Sequence, residues 1–327
     1  MSTKINYLDL TLESPIIVAS CGLTNNIENI KEMEAFGAGA VVLKSLFEEQ
    51  ISIEINQMDK AVSNYANYSE SYDYIKNNIG NNEINKYLRF IEDAKKEVNI
   101  PIIGSINCHS YDKWLSFAKK IENAGADAIE LNIDFLPANV NQSADDIEML
   151  YSNIIAAMKK SITIPFSVKC GSYFSDMAKF MQRISWMGIS GLTIFNREFK
   201  PDIDIHKMEY KSAPIYGNED DLCNTLRWTA ILSDIIRCNL SATGGVQNGK
   251  DVIKLLLAGA TSVQVASCLH KNGIPYLKEL NSDIEKWMKM YNYTNISDFR
   301  GKMSLKSAKN PHSLLRVQFM KHYSGIE

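Results

Sequence analysis

Along the chain, short apolar runs alternate with longer stretches whose apolar residues fall at helical spacing. The runs are IIVAS (16–20), AVVLKS (40–45), PIIGSI (101–106), AIELNI (128–133), PFSVKC (165–170), GLTIFN (191–196), NLSATGG (239–245) and SVQVAS (262–267). Each predicts a short strand, and segments between them, such as NIENIKEMEAFG, YDKWLSFAKKIENAG, LRWTAILSDIIR and GKDVIKLLLAG, predict helices. Several of these helices stop at a glycine suited to a C-cap, in FGAGA, NAGADA and LAGATS. Buried strands alternating with helices imply a parallel sheet covered by helices. Eight such units are most simply a closed (β/α)8 TIM barrel, expected to form one domain over residues 1–327.

Two long insertions interrupt the repeat, both leaving the C-terminal end of a strand, which is the active face of such a barrel. One follows strand 2, at residues 46–85, and is polar and tyrosine-rich; the other follows strand 6, at residues 197–222. Loops of this length in a compact domain commonly serve function, here as a lid or pocket wall. With 35 basic against 38 acidic residues, the net charge of −3 gives no reason to expect nucleic acid or an anionic membrane as partner. No apolar run approaches a bilayer-spanning length, and MSTKINYLDLTLESP lacks the form of a signal peptide, so a cytoplasmic protein is expected. The six cysteines show no CxxC spacing, which excludes the usual zinc and disulfide patterns and predicts small packing residues.

Polar groups stand at the ends of several strands, where an apolar core would not need them. Lys44 and Ser45 end strand 2, Asn107, Cys108 and His109 follow strand 3, Asn132 ends strand 4, Lys169 strand 5, and Asn196 with Arg197 strand 6. Lysines in such positions require a partner or a shifted pKa, which points to an anionic or electron-rich ligand in the barrel mouth. Gly244 and Gly245 then end strand 7, and Ala266 and Ser267 end strand 8. Loops after strands 7 and 8 are the recurrent phosphate position of these barrels, and glycine there would let the backbone approach a ligand. The same lysines would also suit a barrel lyase or aldolase, with Lys169 or Lys44 forming a Schiff base.

Taken together, SPIIVASCGLT, GAGAVVLKS, ADAIELNI, PFSVKC, TIFNR, SATGGVQNGKDVIKLLLAGATSVQVAS and DFRGK resemble the dihydroorotate dehydrogenase family over nearly the whole chain. The resemblance implies flavin mononucleotide (FMN) as cofactor, hydride transfer between a small substrate and flavin N5, and a homodimer. It implies that backbone around Ala19 and Ser20 faces the flavin, and that Lys44, with Ser45 beside it, and Lys169 contact its ring or ribityl group. Asn132 and Asn196 would serve flavin and substrate, with Lys44 helping to orient the substrate. Gly244, Gly245, Ala266 and Ser267 would hold the phosphate. A cation such as Lys169 near flavin N1 and O2 would favour the anionic reduced flavin.

One departure concerns proton chemistry. The soluble enzymes of the family follow the equivalent of Asn132 with a cysteine or serine base; here the chain reads Ile133, Asp134, Phe135, Leu136, Pro137, with Phe135 at the base position and the rim expected to be an apolar wall. Asp134, alternating with Phe135, would point the other way, toward helices or solvent. Candidates to supply a proton group are therefore His109, which titrates in a useful range, and a tyrosine of the first insertion, Tyr65, Tyr68, Tyr72 or Tyr74. With Lys44, His109 and Tyr68 make the candidate catalytic set. A flavin-binding protein that has lost catalysis is the remaining alternative.

Overall fold

The eight apolar runs form eight parallel strands because each carries β-branched and other apolar residues on the face turned to the helices, between glycine- or polar-marked ends. The computed structural model describes residues 1–47, 69–107, 111–198, 200–212 and 216–315. Within them the barrel strands are β3 (Ile16–Val18), β4 (Ala40–Val42), β6 (Ile102–Asn107), β7 (Ala128–Ile133), β8 (Phe166–Cys170), β9 (Gly191–Ile194), β12 (Asn239–Thr243) and β13 (Ser262–Val265). They pair in that order, and β13 returns to β3 through Val263↔Ile16, which closes the ring. A short β5 (Leu46–Phe47) continues past β4 and pairs with the end of β6. The expected (β/α)8 barrel is therefore the observed fold.

A hairpin of β1 (Ile5–Tyr7) and β2 (Leu10–Leu12) precedes the barrel, joined by Leu8 and Asp9 at φ 53° and 58°. Both residues are left-handed, as a two-residue type I′ turn requires. Leu8 is fully buried and its N–H donates to Asn239 Oδ1 at 2.9 Å, so the hairpin plugs the N-terminal end of the barrel. Gly191 admits it, since a Cβ there would lie 2.6 Å from the Leu8 side chain.

Around the strands stand α1 (Ile27–Ala35), α2 (Ser69–Glu97), α3 (Tyr111–Asn123), α4 (Ala144–Ser161), α5 (Met177–Ser185), α6 (Glu219–Leu232), α7 (Gly249–Ala258), α8 (Ser267–Asn272) and α9 (Tyr276–Met290). Side-chain caps fix several starts: Asn26 on α1, Ser143 with Asp146 on α4, Asn218 with Asp221 on α6 and Asn248 on α7. These elements correct both insertion boundaries. Helix α2 begins at Ser69, within the segment assigned to the first insertion, of which residues 48–68 lie outside the described residues. The second insertion holds an antiparallel hairpin, β10 (Pro201–Asp204) with β11 (Glu209–Ser212), and the start of α6.

Glu122 ties the end of α3 to the segment entering β8. Its Oε1 accepts from Thr163 N at 2.7 Å, Thr163 Oγ1 at 2.6 Å and Ile164 N at 3.2 Å. Burial alone would raise its pKa, but the hydrogen bonds from Lys119, Thr163 and Ile164 outweigh it and hold the carboxyl at about 2, below the ordinary 4.5. Because the folded pKa is depressed, this stabilisation is present above pH 4.5 and is lost as pH falls toward 2. Glu122→Ala is expected to cost about 1–3 kcal/mol at neutral pH. Urea denaturation should show the gap to the parent closing as the pH is lowered through that window.

Candidate active site

The barrel interior is polar. Glu130 on β7 accepts from Gln264 Nε2 on β13 at 2.6 Å and from Thr193 Oγ1 on β9 at 3.0 Å. Strands β7 and β13 are not neighbours, so these side chains meet across the inside of the barrel. Ser262 and Ser241 pair at 2.9 Å, and Ser45 and Ser105 at 2.7 Å, on the same inner surface. The strands read as apolar in sequence because Ile129, Leu131 and Ile133, with their counterparts elsewhere, pack outward under the helices, while every second residue faces in. Sequence reasoning found Lys169 and Asn132 and missed Glu130, Thr193 and Gln264. The period-2 alternation in AIELNI, FSVKC and SVQV was the signal that marks them.

Above this layer sits Lys169, buried, with Nζ 3.7 Å from Glu130 Oε1. Asn132 is its register partner on β7. Three acceptor atoms here, Glu130 Oε1, Asn132 Oδ1 and Gln264 Oε1, are buried without a hydrogen-bond partner. Gln264 cannot usefully turn its oxygen round, because its Nε2 faces the Glu130 carboxylate and Thr193. Buried acceptors without a donor are costly, and their grouping beside a buried ammonium at the barrel mouth marks a ligand site.

A cavity of about 590 Å³ opens over this floor, within the roughly 300–1,000 Å³ of clefts that take cofactor-sized molecules. Its lining brings together Ala19, Ser20, Lys169, Asn196, Gly244, Gly245, Ala266 and Ser267, residues from five strand ends that the sequence had nominated separately. Lys44, Ser45 and Asn132 stand outside that lining. Ser45 is nonetheless tied to it, since its N–H donates to Ser20 Oγ at 2.9 Å. Lys44 makes no ion pair among the described residues. His109 and Tyr68, like Tyr65, lie outside the described residues, as do the side chains of Tyr72 and Tyr74.

At the far end of the cavity Gly217 N donates to Ser267 Oγ at 3.1 Å, and Lys271 Nζ donates to Gln247 Oε1 at 2.8 Å. Gly244 and Gly245 have φ of 105° and 76°. A Cβ on Gly245 would lie 2.1 Å from Leu222 N, so that glycine is required by the first turn of α6 rather than by close approach of a ligand. Gly244 faces more open space, with Thr225 Oγ1 as its nearest atom at 3.3 Å.

The rim after β7 differs from expectation. Phe135 packs edge-on against Tyr151 of α4, with centroids 5.7 Å apart, while the Tyr151 hydroxyl donates to Ile133 O at 2.7 Å. Leu136 is exposed, so neither residue walls the site. Asp134 stands outside the cavity lining and instead reaches past the end of β8, its Oδ2 accepting from the cavity residue Asn196 through Nδ2 at 2.8 Å. Burial raises its carboxyl above the ordinary range, and Glu198 adds to this against the opposing effects of Asn196 and Lys169. Cys21 lines the cavity, yet burial pushes its thiol up as well, which makes it a poor nucleophile.

Among the described residues no cluster suits a metal ion, and no helix is long and apolar enough to cross a membrane. The chain is 27% identical over 304 residues to the dihydroorotate dehydrogenase B (NAD(+)) catalytic subunit of Methanocaldococcus jannaschii, covering 89% of this chain and 95% of that protein. It is 26% identical over 311 residues to the protein of the same description from Pyrococcus furiosus, covering 92% and 98%. To the dihydroorotate dehydrogenase (fumarate) of Lachancea kluyveri it is 24% identical over 332 residues, covering 93% and 98%. With the sequence model described as dihydroorotate dehydrogenase matching residues 2–288, the chain belongs to the dihydroorotate dehydrogenase family.

Proposed function

We propose that this protein is an FMN-dependent oxidoreductase acting on CH–CH bonds, moving hydride between flavin N5 and a small organic substrate, dihydroorotate or a related compound. The observation that carries the proposal is the floor of the cavity. One buried ammonium, Lys169, lines the cavity with Gln264, whose Oε1 lacks a donor, and just behind that lining Asn132, the register partner of Lys169 on β7, holds a second acceptor without a donor, Oδ1. That set of one donor and two acceptors fits a flat ring bearing both carbonyl and N–H groups, which is what the pyrimidine edge of a flavin offers.

Bound there, FMN would supply the hydride acceptor. Lys169 would hold positive charge against the ring edge, with Glu130 beneath fixing its position. Backbone after β12 and β13, around Gly244 and Ser267, would receive the phosphate. Asn196, oriented by Asp134, would contact the substrate. The Schiff-base alternative has less support, because Lys169 would have to leave its pairing with a buried carboxylate to act as a nucleophile.

Protein purified without denaturant should be yellow, and flavin-depleted protein should quench added FMN fluorescence to a one-to-one endpoint. A colourless protein that takes up no FMN would end the proposal.

A further inference from the structure

The lysine on the cavity floor has a carboxylate behind it. Lys169 and Glu130 stand on neighbouring strands, β8 and β7, both buried, with Nζ 3.7 Å from Oε1, a contact that is Coulombic rather than a hydrogen bond. Glu130 uses its two oxygens differently. Oε2 is anchored from across the barrel by Gln264 Nε2 at 2.6 Å and by Thr193 Oγ1 at 3.0 Å, whereas Oε1 has no hydrogen-bond partner among the described residues and is the oxygen turned to the ammonium. Thr193 is itself the register partner of Lys169 on β9, so the strand on the far side of the lysine helps to hold the carboxylate under it.

Below the pair the barrel axis is uncharged. Tyr7 closes it from the N-terminal hairpin, and burial pushes its phenol well up, with the Glu130 charge adding to the effect, so the phenol stays protonated. Above the pair the charge of Lys169 is still felt, because it opposes the upward effect of burial on both Asp134 and Cys21. A ring edge resting on Lys169 would therefore meet an ammonium backed by a carboxylate. In a low-dielectric interior the second charge acts through the first, and the pair offers a weaker positive field than a bare cation.

We propose that Glu130 is a positioning residue that sets the reduction potential of the flavin, by offsetting the charge of Lys169 and so keeping the reduced ring a readier donor of hydride or electrons than the lysine alone would leave it. The inference rests on the flavin reading above and adds the control of its potential. The ammonium favours negative charge at N1 and O2 of the reduced ring, and the carboxylate behind it takes part of that stabilisation away. Packing alone does not call for an acid here. A glutamine could accept the same two bonds from Gln264 and Thr193 through its amide oxygen, so what the carboxylate adds to this layer is charge.

The test uses the full chain loaded with FMN and titrated with sulfite, read as loss of visible flavin absorbance. Sulfite gives its lone pair to N5, the N–S bond forms, and the electron pair of the N5–C4a π bond moves to N1 and O2, where it probes the same field as reduction does. Glu130→Gln is expected to bind sulfite about tenfold more tightly than the parent, the scale of one charge removed from a buried site, and to show a higher midpoint potential against a reference dye. Glu130→Asp shortens the side chain and disturbs its bonds to Gln264 and Thr193 more than the amide does, but it keeps the charge, so its sulfite affinity should stay within about threefold of the parent. A purely structural role predicts the opposite order, with the aspartate variant further from the parent than the glutamine variant.

Sulfite affinity in Glu130→Gln equal to or weaker than in the parent, or equal tightening in both variants, would overturn the proposal. If Glu130→Gln does not fold, Thr193→Val decides. It deletes one donor to Oε2 without changing any charge, so the carboxylate leans more heavily on Lys169 and sulfite should bind about two- to threefold more weakly; unchanged or tighter binding there would overturn the proposal as well. A parent protein that takes up no FMN ends the flavin reading itself, whereas a parent that takes it up and responds to sulfite as Glu130→Gln does ends only this inference.

Discussion

Lys169→Ala is expected to lower stability by about 3–5 kcal/mol and to abolish retention of FMN. Both effects come from one geometry. Glu130 is 1% exposed and Lys169 6%, so neither charge is relieved by solvent. With the ammonium gone, the Glu130 carboxylate keeps its bonds from Gln264 and Thr193 but loses the only cation facing it among the described residues. An uncompensated buried charge costs far more than a lost surface pair.

Adding Glu130→Gln to Lys169→Ala separates the two roles. The neutral amide removes the stranded charge, so chemical denaturation should show most of the lost stability restored, while FMN titration should still show no retention. A double variant no more stable than Lys169→Ala would mean that the pairing is not what Lys169 contributes to the fold.

That polar layer also shows where the sequence was legible. Eight strands could be located because outward-facing Ile, Val and Leu make short runs that end at glycine or polar residues, as in AVVLKS and AIELNI. Of the residues nominated at the strand ends, Ala19, Ser20, Lys169, Asn196, Gly244, Gly245, Ala266 and Ser267 came together in one cavity while Lys44, Ser45 and Asn132 did not line it, since equivalent points of neighbouring units in a closed barrel converge on its axis. The partnership of Glu130 with Thr193 and Gln264 was not legible. It joins positions 63 and 134 residues apart, and nothing local to any one strand records which other strand lies opposite.

The rim failed for a different reason. Alternation along a strand would place Asp134 away from the site and Phe135 toward it, but the strand ends at Ile133. Past that residue no ladder holds the pleat, and burial against Tyr151 and α4 captures the phenylalanine. The aspartate is then left beside the end of β8, bonded to Asn196. The β10–β11 hairpin was hidden too, because PDID and EYKS are largely exposed and carry no buried face to give them a periodic signature.

Gly245→Ala is expected to be the most disruptive change of a single methyl group in the cavity wall. At φ 76° an alanine adopts a left-handed conformation, and its Cβ would lie 2.1 Å from Leu222 N, 2.6 Å from Leu222 Cα and 2.7 Å from Asn218 O. All three are backbone atoms at the start of α6. That turn is held by the Asn218 and Asp221 cap, and α6 is fastened to β12 by Thr225 Oγ1 donating to Thr243 O at 3.0 Å, so no flexible side chain can yield. Strain and overpacking together should cost about 2–5 kcal/mol, and displacement of α6 should weaken FMN binding as a consequence. Gly244→Ala provides the contrast, because its nearest neighbour is a hydroxyl at 3.3 Å and the backbone conformation at φ 105° is the main opposition, at about 1–3 kcal/mol. If Gly244 meets the ligand while Gly245 meets the helix, thermal denaturation should separate the variants in one order and FMN titration should show Gly244→Ala losing affinity with the smaller loss of stability. Equal stability losses in the two variants would show that the α6 turn yields to the methyl group, and that both glycines serve the loop conformation alone.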